Sequence, residues 1–419
     1  MTADISMWGS AVCGVREAYD PTMGSAETAG RARREVIRLA HRGLDLVTFL
    51  RLAGEQIRCV VEHEGAACFF TVDPSTLLLT GHVNEDLARD DERRRAVNFG
   101  VMTNEYREED YNKFAALATG PHSVGILAEA TGGQPERSPR YHTLVRPFGL
   151  EAELRAAFVA DGSCWGGLAM FRGPDQPGFA EADGTFLAGL SRPMAEGIRT
   201  ALVLQATGDV ESPEAPGLVL LDEHDRVEAL SPSVAYWLEQ LIDPGQPGSD
   251  GLPGAIHAVI ERTRLAAESG EEAGPVRARI PTRSGRWLTV HGTLLEGRRK
   301  GTAVIIEPAR RPEIAPLLLK AYALSDREQD VALCVLQGLS TAEIAERLFI
   351  SAHTVQDHLK AIFDKVGIRT RRQLVSTVFF DHYFPRLQEE RPIQSTEWSA
   401  GLEPPSPGPP ERVRSETPK

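Results

Sequence analysis

The residues best suited to chemistry lie between Leu324 and Val378, in LSDREQDVALCVLQGLSTAEIAERLFISAHTVQDHLKAIFDKVGIRTRRQLVSTV. From His358 to Phe380 five basic residues (Lys360, Lys365, Arg369, Arg371, Arg372) face one acidic residue, Asp364, a local balance of +4 in a chain of formal net charge −13. Lysine and arginine at that density suit phosphates, and polar side chains on a helix beside them could read base edges. His353, Asp357, Lys360 and Asp364 are spaced to share one helix face, with Gln356 at its edge. Val355, Leu359, Ile362, Phe363 and Val366 form the opposite, apolar stripe.

These side chains need short helices to position them, and the helix starts can be read directly. Ser325 precedes Glu328 by three residues, Ser340 precedes Glu343, and Thr370 precedes Gln373, the spacing of a capping box. Ser351 is a further cap candidate. Gly338 and Gly367 sit where a left-handed residue would end the first and third helices. The spacing predicts helices over Asp326–Gln337, Thr341–Leu348, Ala352–Val366 and Arg371–Phe380. Only Phe349-Ile350-Ser351 separates the second from the third, the connection of a helix-turn-helix.

This stretch closely resembles the LuxR-type (GerE-like) helix-turn-helix over some fifty residues without a gap. The resemblance implies that the third helix enters the major groove of double-stranded DNA and that the fourth mediates dimer contacts, so a homodimer is expected. Carried over by position, Gln356, Asp357 and Lys360 become base-edge candidates, and Thr354, Lys365 and Arg369 phosphate contacts with Arg371 and Arg372 nearby. Leu374, Val375 and Val378 become dimer-helix candidates. Many members carry a basic residue where this chain has Gln356, and a glutamine there can instead pair bidentately with adenine. Asp357 could accept from a cytosine amino group or pair with Lys360 one turn on.

The rest of the 419 residues is long enough for about two more domains. Residues 31–205 open with helical spacing (Val36, Leu39, Leu46, Leu50) and continue with short strands over Ala67–Val72 and Leu77–Gly81. A strand pair follows, Glu153–Ala160 and Trp165–Phe171, joined across Asp161-Gly162, and then a helical run from Phe179 to Leu204. That plan, helices on one side of an antiparallel sheet, resembles a GAF sensory domain, most of all in GLEAELRAAFVADGSCWGGLAMFRGPDQPGFAEADGTFLAGL. In residues 217–307 two apolar runs, Leu218–Leu221 and Val227–Leu230, precede a helix starting near Ser231, its cap candidate. A helix over Ala255–Ala267 and strands at Val276–Ile280, Trp287–Leu295 and Ala303–Ile306 complete an order that resembles a PAS domain. The expected fold class is therefore α+β and multidomain, with two antiparallel-sheet sensory units, an all-α helix-turn-helix unit over 320–385, and a Pro-rich tail over 386–419 whose composition predicts disorder.

Composition limits the alternatives. A chain this acidic is not a generally polycationic binder, and its 42% hydrophobic content is that of a globular protein. No apolar run approaches the ~18 residues of a membrane helix, and MTADISMWGSAVCGVREAYD lacks the basic-then-apolar order of a secretory signal. A cytoplasmic protein without a membrane partner is expected. Cys13, Cys59, Cys68, Cys164 and Cys334 are scattered and read mostly as small buried hydrophobes. His353 and His358, five apart, do not share a helix face, and His63 with Cys68 lacks a second pair, so no metal site is expected. Trp165, Trp237 and Trp287 read as core anchors, and Asp91–Arg95 as a solvated helix face. The chain has no P-loop, G-x-S-x-G or kinase signature, and no acidic pair placed as in a receiver domain, so no catalytic residue is assigned and an enzyme is disfavoured. The expectation is a DNA-binding transcriptional regulator controlled by a small molecule or partner acting on the sensory units, with the cofactor unknown. The alternative is a signalling scaffold whose helix-turn-helix does not contact DNA, favoured by Asp357 and Asp364 on the outward face.

Overall fold

The computed structural model describes residues 25–376, apart from 64–66, 86–99, 205–214, 225, 242–251, 270–275, 283–285, 296–300 and positions 310–312, 315–316, 318, 321 and 323. Cys13, the Asp91–Arg95 run, Val378 and the Pro-rich tail therefore lie outside the described residues.

Two helices begin the first unit, α1 (Ser25–Ala40) and α2 (Leu46–Arg58), the second capped by Asp45, which accepts from the Thr48 amide at 3.0 Å. The strands β1 (Ala67–Val72) and β2 (Leu79–Glu85) follow, then α3 (Phe114–Thr119) and β3 (Val124–Ile126). The long pair β4 (Ala152–Ala160) and β5 (Ser163–Arg172) leads into α4 (Glu181–Leu204). The sheet is antiparallel, in the order β2-β1-β5-β4-β3. Its central hairpin turns on Asp161 and Gly162, both with positive φ (51° and 73°), as the expected two-residue turn requires. On one face α4 lies against β4, with α1 and α2 packed over it. Gly197 of α4 makes this close approach possible, since any Cβ there would collide with the Phe49 ring of α2.

The expectation of helices on one side only is incomplete. Phe70, Leu79 and Ala169 on the other face pack with Met102 of the helical residues 100–106, with Phe114 and Leu117 of α3, and with Ala258 of the next unit. The sequence over 86–145 carries no single clean period, so these covering elements were not legible.

The second unit repeats the strand order. The strands β6 (Gly217–Asp222) and β7 (Val227–Leu230) come first, then α5 (Val234–Gln240) and α6 (Gly254–Glu268). A meander of β8 (Val276–Pro281), β9 (Trp287–Leu295) and β10 (Gly301–Pro308) closes an antiparallel sheet in the order β7-β6-β10-β9-β8. Val219, Trp237, Ile256, Val259, Ile280, Val290 and Val304 make its core. Gly292 lets α6 cross β9, where a Cβ would strike Thr263. Ser231 does not cap α5 as expected. Its hydroxyl accepts from the Leu218 amide at 2.9 Å and so ties β6, while Ser233 holds the N-cap position but donates to the Pro216 carbonyl at 2.7 Å instead of capping the helix.

A short junction leads to the third unit, α7 (Asp326–Leu336), α8 (Thr341–Leu348), α9 (Ala352–Val366) and α10 (Arg371–Ser376). One continuous apolar cluster runs from the α1, α2 and α4 layer through Ala309, Ile314, Leu317 and Leu319 to Val331, Ile344, Leu359 and Leu374. Trp165, Trp237 and Trp287 are buried anchors, as are Cys164 and Cys334, whereas Cys59 is exposed and Cys68 half-buried. No helix among the described residues is long and apolar enough to cross a membrane.

Candidate nucleic-acid interface

Capping decides the geometry of the third unit. Ser325 accepts from the Glu328 amide at 3.4 Å while Glu328 accepts from the Ser325 amide at 2.7 Å, and Ser340 and Glu343 repeat the exchange at 3.3 and 2.7 Å. The third box is altered. Thr370 accepts from the Gln373 amide at 3.1 Å, but the Gln373 side chain returns to the Arg369 amide, at 2.8 Å, rather than to that of Thr370. Ser351 caps α9 by accepting from the Thr354 amide at 3.0 Å, and its hydroxyl lies 2.8 Å from the Thr354 hydroxyl. Gly338 and Gly367 take positive φ values of 84° and 76° and close α7 and α9.

These caps hold α8 and α9 around a core of Val331, Ile344, Val355, Leu359 and Ile362, leaving one side of α9 in solvent. His353, Gln356, Asp357, Lys360 and Asp364 are exposed there. Gln356, Lys360, Asp364 and Arg369 rim a shallow depression whose floor is Leu359, Phe363 and Ile368. The Gln356 amide nitrogen donates to Thr341 Oγ1 at 3.2 Å, which leaves its second N–H and its carbonyl oxygen to meet a partner. Bidentate pairing with adenine uses one N–H and the carbonyl oxygen, so it is compatible with the bond to Thr341. The carboxylate of Asp357 lies 3.9 Å from His353 Nε2, one turn back, instead of against Lys360.

The five cations of the basic stretch divide into two kinds. Lys365 Nζ donates to Glu328 Oε2 at 2.6 Å and joins α9 to α7. Burial pushes the Glu328 carboxyl upward, but bonds from Lys365 and Ser325 outweigh it and hold its pKa below the usual carboxylate range. Arg371 donates to the Leu339 carbonyl at 3.0 Å and to Thr341 Oγ1 at 2.7 Å, fastening α10 to the turn before α8. Lys360, Arg369 and Arg372 instead present their side chains to solvent. The expected phosphate set is thus split: Thr354 lies in the first turn of α9, Arg369 just beyond its last residue and Arg372 in the first turn of α10, whereas Lys365 and Arg371 serve the domain's own packing. Of the dimer-helix candidates, Leu374 is 0% exposed and sits in this domain's own core, while Val375 is half-buried.

One outlying feature had no signal in the sequence reading. Phe349 ends α8 in the left-handed region (φ 55°, ψ 45°) with 94% of its surface exposed. Left-handed backbone favours glycine or asparagine, so nothing in the residue type announces it.

Residues 322–378 match the family model described as bacterial regulatory proteins, luxR family (GerE). A putative HTH-type transcriptional regulator of Mycobacterium tuberculosis is 47% identical over 53 residues, 13% of this chain and 6% of that protein. The HTH-type transcriptional activator RamA of Corynebacterium glutamicum is 31% identical over 130 residues, 29% of this chain and 45% of that protein. The chain thus spans 6% of the length of the mycobacterial relative and less than half that of RamA. Among solved structures, the VqmA dimer of Vibrio cholerae, described with LuxR-type receptors, aligns over 41% of this chain and 85% of its own at 19% identity and a TM-score of 0.19.

Proposed function

From a C-terminal unit that is a luxR-family helix-turn-helix domain, we propose that the chain is a transcriptional regulator that binds double-stranded DNA sequence-specifically as a homodimer. In this reading α9 enters the major groove and Gln356, Asp357 and Lys360 face base edges. Thr354, Arg369 and Arg372 meet phosphates, and Lys365 and Arg371 act by holding the helices in register. Val375, with Val378 further on, is assigned to the contact between two copies. Residues 31–205 and 217–307 are read as GAF-like and PAS-like sensory units, responsive to a small molecule or to a partner. Two antiparallel sheets of one strand order support that assignment.

The observation that carries the reading is the exposed Gln356, Lys360 and Arg369 around one depression, while Lys365 and Arg371 of the same stretch bond within the unit. Each phosphate contact releases counterions and contributes about −0.9 to the slope of log K against log salt, so three cations give roughly −3 per domain. A fluorescence-anisotropy titration of the full chain with duplex selected from a random pool should show about −5 for the two domains of a dimer. A flat salt dependence, or no enrichment of any sequence, overturns the reading. It would favour a signalling scaffold instead, for which the exposed Asp357 and Asp364 on α9 speak.

A further inference from the structure

The turn between β1 and β2 leaves its own unit and enters the next. Leu78, 2% exposed, belongs to the second unit's core with Val219, Trp237, Ile280 and Val290. Beside it the Asp73 carboxylate, fully buried, receives three bonds from Arg279 of β8. These come from Nη2 to Oδ1 at 2.7 Å, from Nε to Oδ2 at 3.0 Å and from the backbone amide to Oδ2 at 2.9 Å. The remaining guanidinium nitrogen, Nη1, donates to the Glu313 carbonyl at 2.9 Å. Glu313 stands at the head of the junction, and its carboxylate is held from the same sheet by Arg277 of β8 at 3.2 Å and Thr289 of β9 at 3.0 Å. Beyond it Ile314, Leu317, Leu319 and Leu324 are buried up to Ser325, the cap of α7.

We propose that Arg279 is a clamp that couples the first unit to the helix-turn-helix, gripping the β1–β2 turn with one edge of its guanidinium and the start of the junction with the other. The planar fork cannot follow one partner without leaving the other, because its donors are fixed relative to one another. Releasing Asp73 strands a buried carboxylate, so an intermediate half-released state is disfavoured and the two grips hold or fail together. The same hairpin also has a sensing end. Phe70 of β1 and Leu79 and His82 of β2 line an apolar cavity of the first unit with Met102, Phe114 and Phe171. Filling that cavity displaces the strand pair whose tip Arg279 holds, and the displacement reaches Glu313 within two side chains. The link to DNA rests on the reading of α9 given above; the clamp itself does not.

Hydrogen–deuterium exchange on the full chain tests the clamp. Arg279→Lys keeps the charge and removes the fork, and Asp73→Asn removes the carboxylate; each should raise exchange in peptides spanning Glu313 to Leu324 about tenfold, the size expected of a lost local constraint. In the double variant the two effects should overlap rather than multiply. Unchanged exchange in a folded variant, or independent multiplication, overturns the proposal. Should either buried substitution prevent folding, exchange of the wild-type chain in rising sub-denaturing denaturant decides: joint opening of peptides from the β1–β2 turn and from Glu313 to Leu324 supports the clamp, and opening at separate free energies refutes it. In a second arm, Arg279→Lys should shift the dissociation constant for the selected duplex by about fivefold, with the salt slope unaltered because no cation of α9 is touched. A constant that does not move refutes transmission to the helix-turn-helix. If the wild-type chain binds no duplex, the DNA reading fails while the exchange arm still judges the clamp.

Discussion

The first and third units use the same residue types for opposite ends. In the first, Arg140 is 1% exposed and bonds Glu153 at 2.8 and 3.0 Å, Asn104 at 2.9 Å and the Tyr111 carbonyl at 3.0 Å, with Asp110 3.3 Å away. Arg155 completes the cluster through Glu153 at 2.9 Å and Glu105 at 3.0 Å, its guanidinium 4.5 Å from the Phe114 ring centroid. Every charge there answers another. Burial raises the Glu105 carboxyl, whereas at Glu153 the two arginines outweigh burial and lower it. In the third unit Lys360, Arg369 and Arg372 stand in solvent on one side of the domain. A saturated cluster commits its charges to its own members, although Arg140 and Arg155 also border the first unit's cavity, while unanswered cations contribute little to stability and remain available for an anion. The difference lies in partnership, not in composition.

The sharpest way to break that contrast is to remove one member of the buried cluster. Arg140→Met leaves Asp110 without its cation and Glu153 with Arg155 alone, and should lower the unfolding free energy by about 3–5 kcal/mol, measured by chemical denaturation. A loss as small as that of a surface pair would mean that water reaches the cluster. Lys360→Ala should leave the melting temperature unchanged and weaken binding to the selected duplex by about 1–3 kcal/mol, with a smaller effect on random duplex. Arg372→Ala should weaken both duplexes alike and reduce the salt slope by about 1. If instead Arg371→Ala changed only the slope and left thermal stability intact, its bonds to Leu339 and Thr341 would not hold in solution.

How much of this was legible depends on whether the cause was local. The α7 and α8 caps, the left-handed Gly338 and Gly367 and the Asp161-Gly162 turn are set by residues within four positions, and the sequence pattern located each of them. The division of the basic stretch was not legible. Lys365 meets Glu328 across 37 positions and Arg371 meets Thr341 across 30, so equal charges acquired unequal roles through tertiary packing. Asp73 and Arg279 are 206 positions apart, and neither lies in a motif. Strands over Ala67–Val72 and Leu77–Gly81 imply a turn between them, but nothing local says that the turn is buried in another unit.

A titration extends the contrast to the second unit. Burial depresses the His257 imidazole on α6 to about 4, from an ordinary value of 6.5. Between those two values the unfolded chain holds a proton that the folded chain refuses, so stability is intact above about pH 6.5 and falls on acidification. The slope approaches ~1.4 kcal/mol per pH unit until the folded form also protonates. His257→Gln should reduce the slope of the stability profile between pH 6.5 and 4, leaving the smaller share of His63, which burial also lowers, and the acid loss that follows when carboxylates such as Glu328 are protonated below their lowered pKa. A wild-type profile already flat in that window would show that His257 is solvated.

The smallest expected effect concerns Phe349, where fold and function separate most cleanly. Its left-handed backbone costs a residue with a Cβ about 1–2 kcal/mol, and its ring, 94% exposed, recovers almost none of that through burial. Phe349→Gly removes the strain but adds conformational freedom to the unfolded chain, so the net gain should be about 0.5–1 kcal/mol. Denaturation of the wild-type and variant chains at low concentration reads this directly, with the salt slope on duplex expected to stay the same because no cation is involved. A variant less stable than wild type would mean that the ring is covered in solution, and a loss of stability that grows with protein concentration would assign the cover to a second copy. Either result would move Phe349 from the solvent-facing side of the comparison to the partnered side, beside Arg140.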